Sequence, residues 1–338
     1  MGMVRPGFSR AGFLQAGFLR REGVPAPVNL EAPVVSGTAE IGKTLSATTG
    51  TWDNSPASFA YQWQRGGSNI LGATSSTYNT VLADAGTLIT CEVTATSAGG
   101  SATAESNSLD ILNLDDIANL QVWLDAMDAS TVLRDTGSGF VPAANGEAVA
   151  RWLDKSSNAH ILAQTTAGSR PLLSTSAGPS SGRCIEWDGA DDLLIKNPLA
   201  IARPHTAFVV FTNRSTVVND VIYHTAGAGA ASQLRQLSST STGRMVGGPA
   251  SIPTVTNEWA VATLEVENNA YRIRKNNGVL LTETVATAAS IGLSLGAQIG
   301  PINFAHCALS EFLIYESILS PSDQDKIRNY LKAKWGTP

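Results

Sequence analysis

From residue 32 onward the chain is built of short apolar runs that alternate with polar residues and are broken by Gly, Asn, Asp, Ser or Pro. Alternation with a period of two marks a half-buried strand. Phe59–Arg65 sets Phe59, Tyr61 and Trp63 on one face and Ala60, Gln62 and Gln64 on the other. Leu88–Thr96 does the same with Ile89, Cys91 and Val93. Pro33–Ser36 and Gly42–Thr48 read as two earlier strands. Turn signals at Asp53-Asn54-Ser55-Pro56, Gly66-Gly67 and Gly99-Gly100 separate these segments. Short strands with this punctuation predict a small β-sandwich over residues 32–111.

Residues 112–338 continue the pattern in a larger block, with strands predicted at Leu120–Leu124, 149–152, Cys184–Trp187, Ala260–Val266, Tyr271–Arg274 and Leu309–Tyr315. Ala207–Phe211 is apolar at every position, as in a central strand buried on both faces. Asn276-Asn277-Gly278 is a hairpin turn signal. One helix is predicted, over Pro321–Lys334. Ser320 suits its N-cap, Pro321 its first position, and Asp323 the acid of a capping box. Ile327, Tyr330, Leu331 and Lys334 recur at helical spacing, Lys332 and Lys334 sit at the negative end of the dipole, and Gly336 can end it. The apolar face of this helix should lie on the larger block.

Residues 1–31 follow neither period. Gly7-Phe8, Gly12-Phe13 and Gly17-Phe18 repeat every five residues. A helix turns about 140° in five residues and a strand alternates faces, so neither gathers the three rings on one side. The repeat fits an extended arm whose Phe8, Phe13 and Phe18 enter separate pockets of a partner. Arg5, Arg10, Arg20 and Arg21 would meet acidic groups there, and Val24-Pro25-Ala26-Pro27 reads as a stiff linker.

A length of 338 residues suits two or three domains. Only 15% of residues are charged and the net charge is −5, which argues against a nucleic-acid partner. The three cysteines, Cys91, Cys184 and Cys307, form no zinc-type spacing. Their small, odd number suggests folding in a reducing cytosol, with a Cys184–Cys307 bridge left open. No run reaches the roughly 18 apolar residues of a membrane helix. Ala11–Leu19 imitates the apolar part of a signal peptide, but Gln15 and two glycines interrupt it, so none is expected.

Two resemblances sharpen this reading. Tyr61-Gln62-Trp63, Asp84-Ala85-Gly86 and Cys91-Glu92-Val93, preceded by Gly42-Lys43-Thr44-Leu45, resemble the bacterial and phage immunoglobulin-like module. Leu45 stands where the partner cysteine of strand B would be, and Ile89 where the corner tyrosine would be, so the resemblance implies no intersheet disulfide and a core of Trp63 with Cys91. The larger block resembles the laminin-G/concanavalin-A-like jelly rolls. The carrying segments are Val122-Trp123-Leu124-Asp125, Trp152-Leu153-Asp154-Lys155, Trp187-Asp188-Gly189, Ser310–Tyr315 and Lys334-Trp335-Gly336. The expected class is therefore all-β: an extended N-terminal arm and linker (1–31), an immunoglobulin-like sandwich (32–111), and a jelly-roll sandwich with a C-terminal helix (112–338).

Catalytic chemistry is not evident. His160, His205, His224 and His306 show no metalloprotease spacing, and no nucleophile elbow occurs. Jelly rolls that hydrolyse glycosides carry paired acids on a strand, whereas Glu311 stands alone between Ser310 and Phe312. Asp188, Asp191 and Asp192 form an acidic turn suited to Ca²⁺, with Asp154 and Asn158 as contributors from another loop, or else simply a solvated turn. Trp123, Trp152 and Trp187 are expected in the core rather than as sugar platforms. A ligand site would lie in loops such as Ala226–Arg235 or Ser238–Ala250. Together these features suggest a non-enzymatic virion structural protein of the head-decoration, collar or fibre type. It would be assembled in the host cytoplasm as part of a homo-oligomer, anchored to other virion proteins by its arm, and would display domains for a host-surface glycan. The alternative is a bacterial surface or secreted carbohydrate-binding adhesin.

Overall fold

The computed structural model describes residues 23–214, 221–226, 233–238, 241–244, 251–252, 257–267, 270–284, 290–297 and 303–337. The arm residues Phe8, Phe13, Phe18, Arg5, Arg10, Arg20 and Arg21 lie outside them. The fold is all-β, with one α-helix among the described residues, Pro321–Trp335. Its contacts divide it into two compact units. One comprises the chain up to Ser36, Ser46–Ser76 and Thr90–Ser108; the other comprises Gly37–Leu45, Thr77–Ile89 and Leu109–Pro338. The division interleaves along the chain, whereas strand pattern alone groups all of 32–111. The hydrogen bonds from Leu112 N to Ala39 O (3.2 Å) and from Asn329 Nδ2 to Glu40 Oε2 (3.3 Å) show why Gly37–Leu45 goes with the larger unit.

In the smaller unit, Trp63, Cys91, Val93 and Ala95 have no exposed surface. The Trp63 indole nitrogen donates to Ser75 O at 2.8 Å, so the ring is buried without leaving a polar atom unpaired. The strand Leu88–Ser97 turns directly into Gly100–Glu105, in register from Glu92↔Glu105 to Ser97↔Gly100. Asn107 secures Val35 by accepting from its N at 2.8 Å and donating to its O at 3.1 Å. Residues 28–31, read from sequence as the end of a linker, form a strand with Thr51–Asp53. Asn29 supports it by donating to Glu31 O and Thr51 O.

The larger unit is a sandwich. One sheet is centred on the long strands His205–Asn213 and His306–Tyr315, with Leu120–Asp125, Leu172–Ser174, Cys184–Asp188, Ala260–Val266, Ala270–Lys275 and Leu281–Thr284. The other runs in the order Phe140–Pro142, Val132–Asp135, Arg151–Leu153, Ile161–Ala163, Leu194–Lys196, Ser290–Leu295, Val221–Ala226, Gln233–Ser238, Ser241–Arg244, Ser251–Ile252. Both sheets contribute to a single apolar cluster: Val122, Ala207, Val209, Phe211, Leu264 and Phe312 from the first, Val132, Trp152, Leu162, Leu194 and Leu293 from the second. Alternate residues of the central strand, Phe208 and Val210, are equally buried on the opposite face.

The helix accounts for that second burial. Ser320 Oγ accepts from Asp323 N at 3.1 Å, and Gly336 ends the helix at φ 62° with its N donating to Lys332 O. Ile327, Tyr330, Leu331 and Trp335 are buried. Gln324 Nε2 donates to Glu265 Oε1 of Ala260–Val266 at 2.8 Å, and Lys334 pairs with Glu311 of His306–Tyr315 at 2.9 Å, which places the helix on the outer face of the first sheet.

Candidate functional site

The acidic turn forms at the end of Cys184–Asp188, where Asp188 lies opposite His306. Gly189 follows at φ +80°, and a Cβ there would come within 2.9 Å of the His306 Cβ, so both its backbone angle and its surroundings favour glycine. The tight turn brings one carboxylate oxygen each of Asp188, Asp191 and Asp192 within 4.8 Å of one another. Asp188 and Asp191 are exposed, whereas Asp192 is buried. Asp192 Oδ2 accepts from Asp188 N at 3.1 Å, Asp188 Oδ1 from Ala190 N at 2.8 Å, and Asp191 Oδ2 from Ser169 Oγ at 3.0 Å. Burial, with the charges of Asp188 and Asp191 added, pushes the Asp192 carboxyl up to about 6, against the pull of the Asp188 N–H. Among the described residues no lysine or arginine forms an ion pair with the three acids. Hard oxygens with uncompensated negative charge are the donor set Ca²⁺ takes, and those three side chains would hold it.

Asp154 does not join this cluster, and Asn158 is engaged by the Leu120–Asp125 strand. Asp154 accepts from Trp123 N (2.7 Å), Ser156 N (2.8 Å), Ser156 Oγ (2.7 Å) and His160 N (3.1 Å). Asn158 Nδ2 donates to Leu120 O and Gln121 O. Their oxygens and donors bind the 154–160 loop to the Leu120–Asp125 strand instead.

A second charged group was not anticipated from sequence. Glu311 is fully buried; its Oε1 accepts from Trp123 Nε1 at 2.7 Å, and its Oε2 accepts from Trp335 Nε1. Lys334 Nζ lies 2.9 Å from Glu311 Oε2 and 2.8 Å from Asp125 Oδ2, with 2% of its side chain exposed. Lys334, placed by spacing on the helix face with Ile327, Tyr330 and Leu331, thus also carries a charge pairing that spacing does not show. Lys155 Nζ reaches Asp125 at 3.0 Å and Asp128 at 3.3 Å, and sits 4.5 Å from the Trp123 ring centre. Burial pushes the Glu311 carboxyl above its ordinary range, against the pull of Lys334. The group borders a cleft of about 440 Å³ that Trp123, Met127, Lys155 and Tyr330 help to line. Helical and strand spacing located each residue, but only the docking of the helix brings Lys334 to Glu311.

Trp152 and Trp187 lie in the intersheet core, while Trp123 is buried on the opposite face of its sheet. Gly296 touches Trp187 so closely that a Cβ would come within 2.2 Å of its Nε1. Cys91, Cys184 and Cys307 are buried and none is in a disulfide, so the Cys184–Cys307 bridge left open above does not form. Cys307 lies opposite Trp187, three residues along the neighbouring strand from Cys184. That is about 10 Å and the opposite face, beyond disulfide reach. Burial raises the Cys91 thiol to about 11 and the Cys184 thiol to about 12. Of the loops expected to carry a ligand, 227–232, 239–240 and 245–250 lie outside the described residues.

No family model matches the chain, and no curated protein matches its sequence. Among solved structures, it is similar to a GH54 α-L-arabinofuranosidase soaked with a cyclic sulfate inhibitor, at 12% identity and a TM-score of 0.48, over 65% of this chain and 64% of that one. Domain 4 of AbnA, a GH43 extracellular arabinanase from Geobacillus stearothermophilus in complex with arabinotriose, is similar at 15% identity and 0.39, over 62% of this chain and 98% of that one. The binding domain of botulinum neurotoxin serotype D is similar at 12% and 0.38, over 55% of this chain and 54% of that one. The chain thus spans less than two thirds of the arabinofuranosidase and about half of the toxin domain. These likenesses carry no argument about function.

Proposed function

We propose that this chain is a non-enzymatic structural protein of a virion, held by its N-terminal arm and displaying its larger β-sandwich as a Ca²⁺-assisted binder of a host-surface glycan. The observation that supports the binding role is the turn that gathers Asp188, Asp191 and Asp192 with no ion-paired lysine or arginine among the described residues. The ion would offset two of the three negative charges and hold the loop that carries them. The arm supports the anchoring role: phenylalanines at five-residue spacing, each preceded by glycine, suit separate pockets on a partner. A non-catalytic reading is favoured by Glu311, which is buried and already bonded to Lys334, Trp123 and Trp335, and so is poorly placed to meet a substrate. The immunoglobulin-like and laminin-G-like resemblances belong to the same proposal.

The test is quantitative mass spectrometry of purified particles from cells producing the chain with and without residues 1–22. We expect the full chain at stoichiometric occupancy and the truncated chain absent. Full occupancy by the truncated chain would remove the arm from the mechanism. Recovery of the full chain only in cell-surface or medium fractions would favour the adhesin alternative.

A further inference from the structure

Five strands at one end of the second sheet leave their outer face open. The registers Leu133↔Pro142, Leu133↔Arg151, Arg151↔Ala163 and Ala163↔Ile195 set Pro142, Leu133, Arg151, Ala163 and Ile195 in one row across it. Their neighbours in sequence Val132, Trp152, Leu162 and Leu194 point the other way, into the core. On the same face, Phe140 and Ile161 are 40% and 38% exposed, and the row itself is half-buried or exposed. This outer face is mostly apolar, with one cation in its middle and one acid, Asp135, opposite Phe140.

That cation is Arg151. Its guanidinium carbon lies 3.5 Å from the centre of the Phe140 ring. It makes no side-chain hydrogen bond or ion pair among the described residues, although two neighbouring arginines do. Arg134 pairs with Glu147 at 3.0 Å and Arg170 with Asp135 at 3.0 Å. Asp135 feels the Arg151 charge, but its carboxylate hydrogen-bonds to Arg170 and to Gly137 N (2.8 Å) and not to Arg151. Stacking against the ring holds the guanidinium flat while leaving its N–H edge for an incoming anion.

We propose that this face binds an acidic glycan, with Arg151 donating in bidentate fashion to a sugar carboxylate or sulfate while Phe140, Leu133 and Ile195 meet the C–H face of the rings. A charged sugar supplies both halves of the match, an anion for the fork and an apolar ring face for the sheet. The proposal rests on the glycan-binding reading above, and adds a contact separate from the acidic turn and a charge class for the ligand.

The test is calorimetric titration of the full chain with oligogalacturonate, with its neutral methyl ester and with chondroitin sulfate. The unaltered protein should bind at least one acidic sugar and bind the methyl ester at least tenfold more weakly. Arg151→Ala should weaken acidic-sugar binding at least tenfold with an unchanged melting temperature. Arg151→Lys should fall between the two, because an ammonium lacks the fork. Asp192→Asn should leave this binding within twofold. Equal affinity of Arg151→Ala and the unaltered chain, or no acidic-sugar binding at all, overturns the proposal. If neutral glycans then bind in a Ca²⁺-dependent way, the glycan-binding reading stands without this contact; if no glycan binds, both fall.

Discussion

Two clusters of acids in the larger unit resolve the same electrostatic problem in opposite ways. Asp125 and Glu311 are buried and share one buried lysine, with two indole N–H groups completing Glu311. Asp188, Asp191 and Asp192 sit in a turn where no lysine or arginine among the described residues pairs with them, and the buried member is pushed toward its neutral form. The first cluster carries its counter-charge within the fold and clasps the helix to the sheet. The second lacks one, which is the condition under which an external cation gains most. Carboxylates alone therefore do not show whether a cation is wanted; that depends on whether a matched cation already lies within the fold.

The largest effect expected from this contrast is at the clasp. Glu311→Ala removes the partner of Lys334 and orphans two buried indole donors. It should cost about 3–5 kcal/mol in urea unfolding, the usual loss when one member of a buried ion pair is deleted. A loss under about 1 kcal/mol would show that the helix is held by apolar contact alone.

At the turn, free Ca²⁺ at about 100 times its dissociation constant should add about 2.7 kcal/mol of stability, read as a rise in melting temperature that a chelator reverses. Asp192→Asn should abolish the rise. The pH dependence has a defined sign. The folded pKa of Asp192, about 6, lies above the ordinary 3.8, so between these values the folded state holds the extra proton. Without metal, this group's contribution to stability should be greatest below pH 4 and decline as pH rises through 6. Because Ca²⁺ needs the ionised form, its stabilisation should be large at pH 7.5 and small at pH 5. A Ca²⁺ effect equal at the two pH values would place the ion elsewhere.

The smallest effect is at the start of the helix that carries Lys334 to the clasp. Ser320→Ala removes the acceptor for Asp323 N and should cost about 1 kcal/mol by thermal melting. Were it to cost as much as Glu311→Ala, the clasp would not be the dominant attachment.

Much of this architecture was legible in local pattern. Period-two alternation located Phe59–Arg65 within one residue of the observed Ser58–Arg65. Unbroken apolarity identified the doubly buried strand now seen as His205–Asn213. Helix caps are short-range chemistry, so Ser320 and Gly336 bounded the helix correctly to within a residue. Val28–Glu31 escaped because a four-residue strand beside a Pro-rich segment has too few positions to show its period.

The acidic turn was equally readable, because three acids within five residues meet through local turn geometry alone. What sequence determined about this protein is whatever depends on neighbours along the chain: strand faces, turns, caps and the Asp188–Asp192 cluster. Tertiary structure alone decided the rest. Asp125, Lys155, Glu311 and Lys334 are scattered through the chain, and nothing local shows that they share one site. The same holds for Arg151, which reads as a polar residue of an alternating strand until Phe140, from another strand, is laid beneath it. Charge that looks solvated in sequence becomes buried, paired or left unmatched only when distant strands and the helix pack, because the energy of a charge is set by what surrounds it in space.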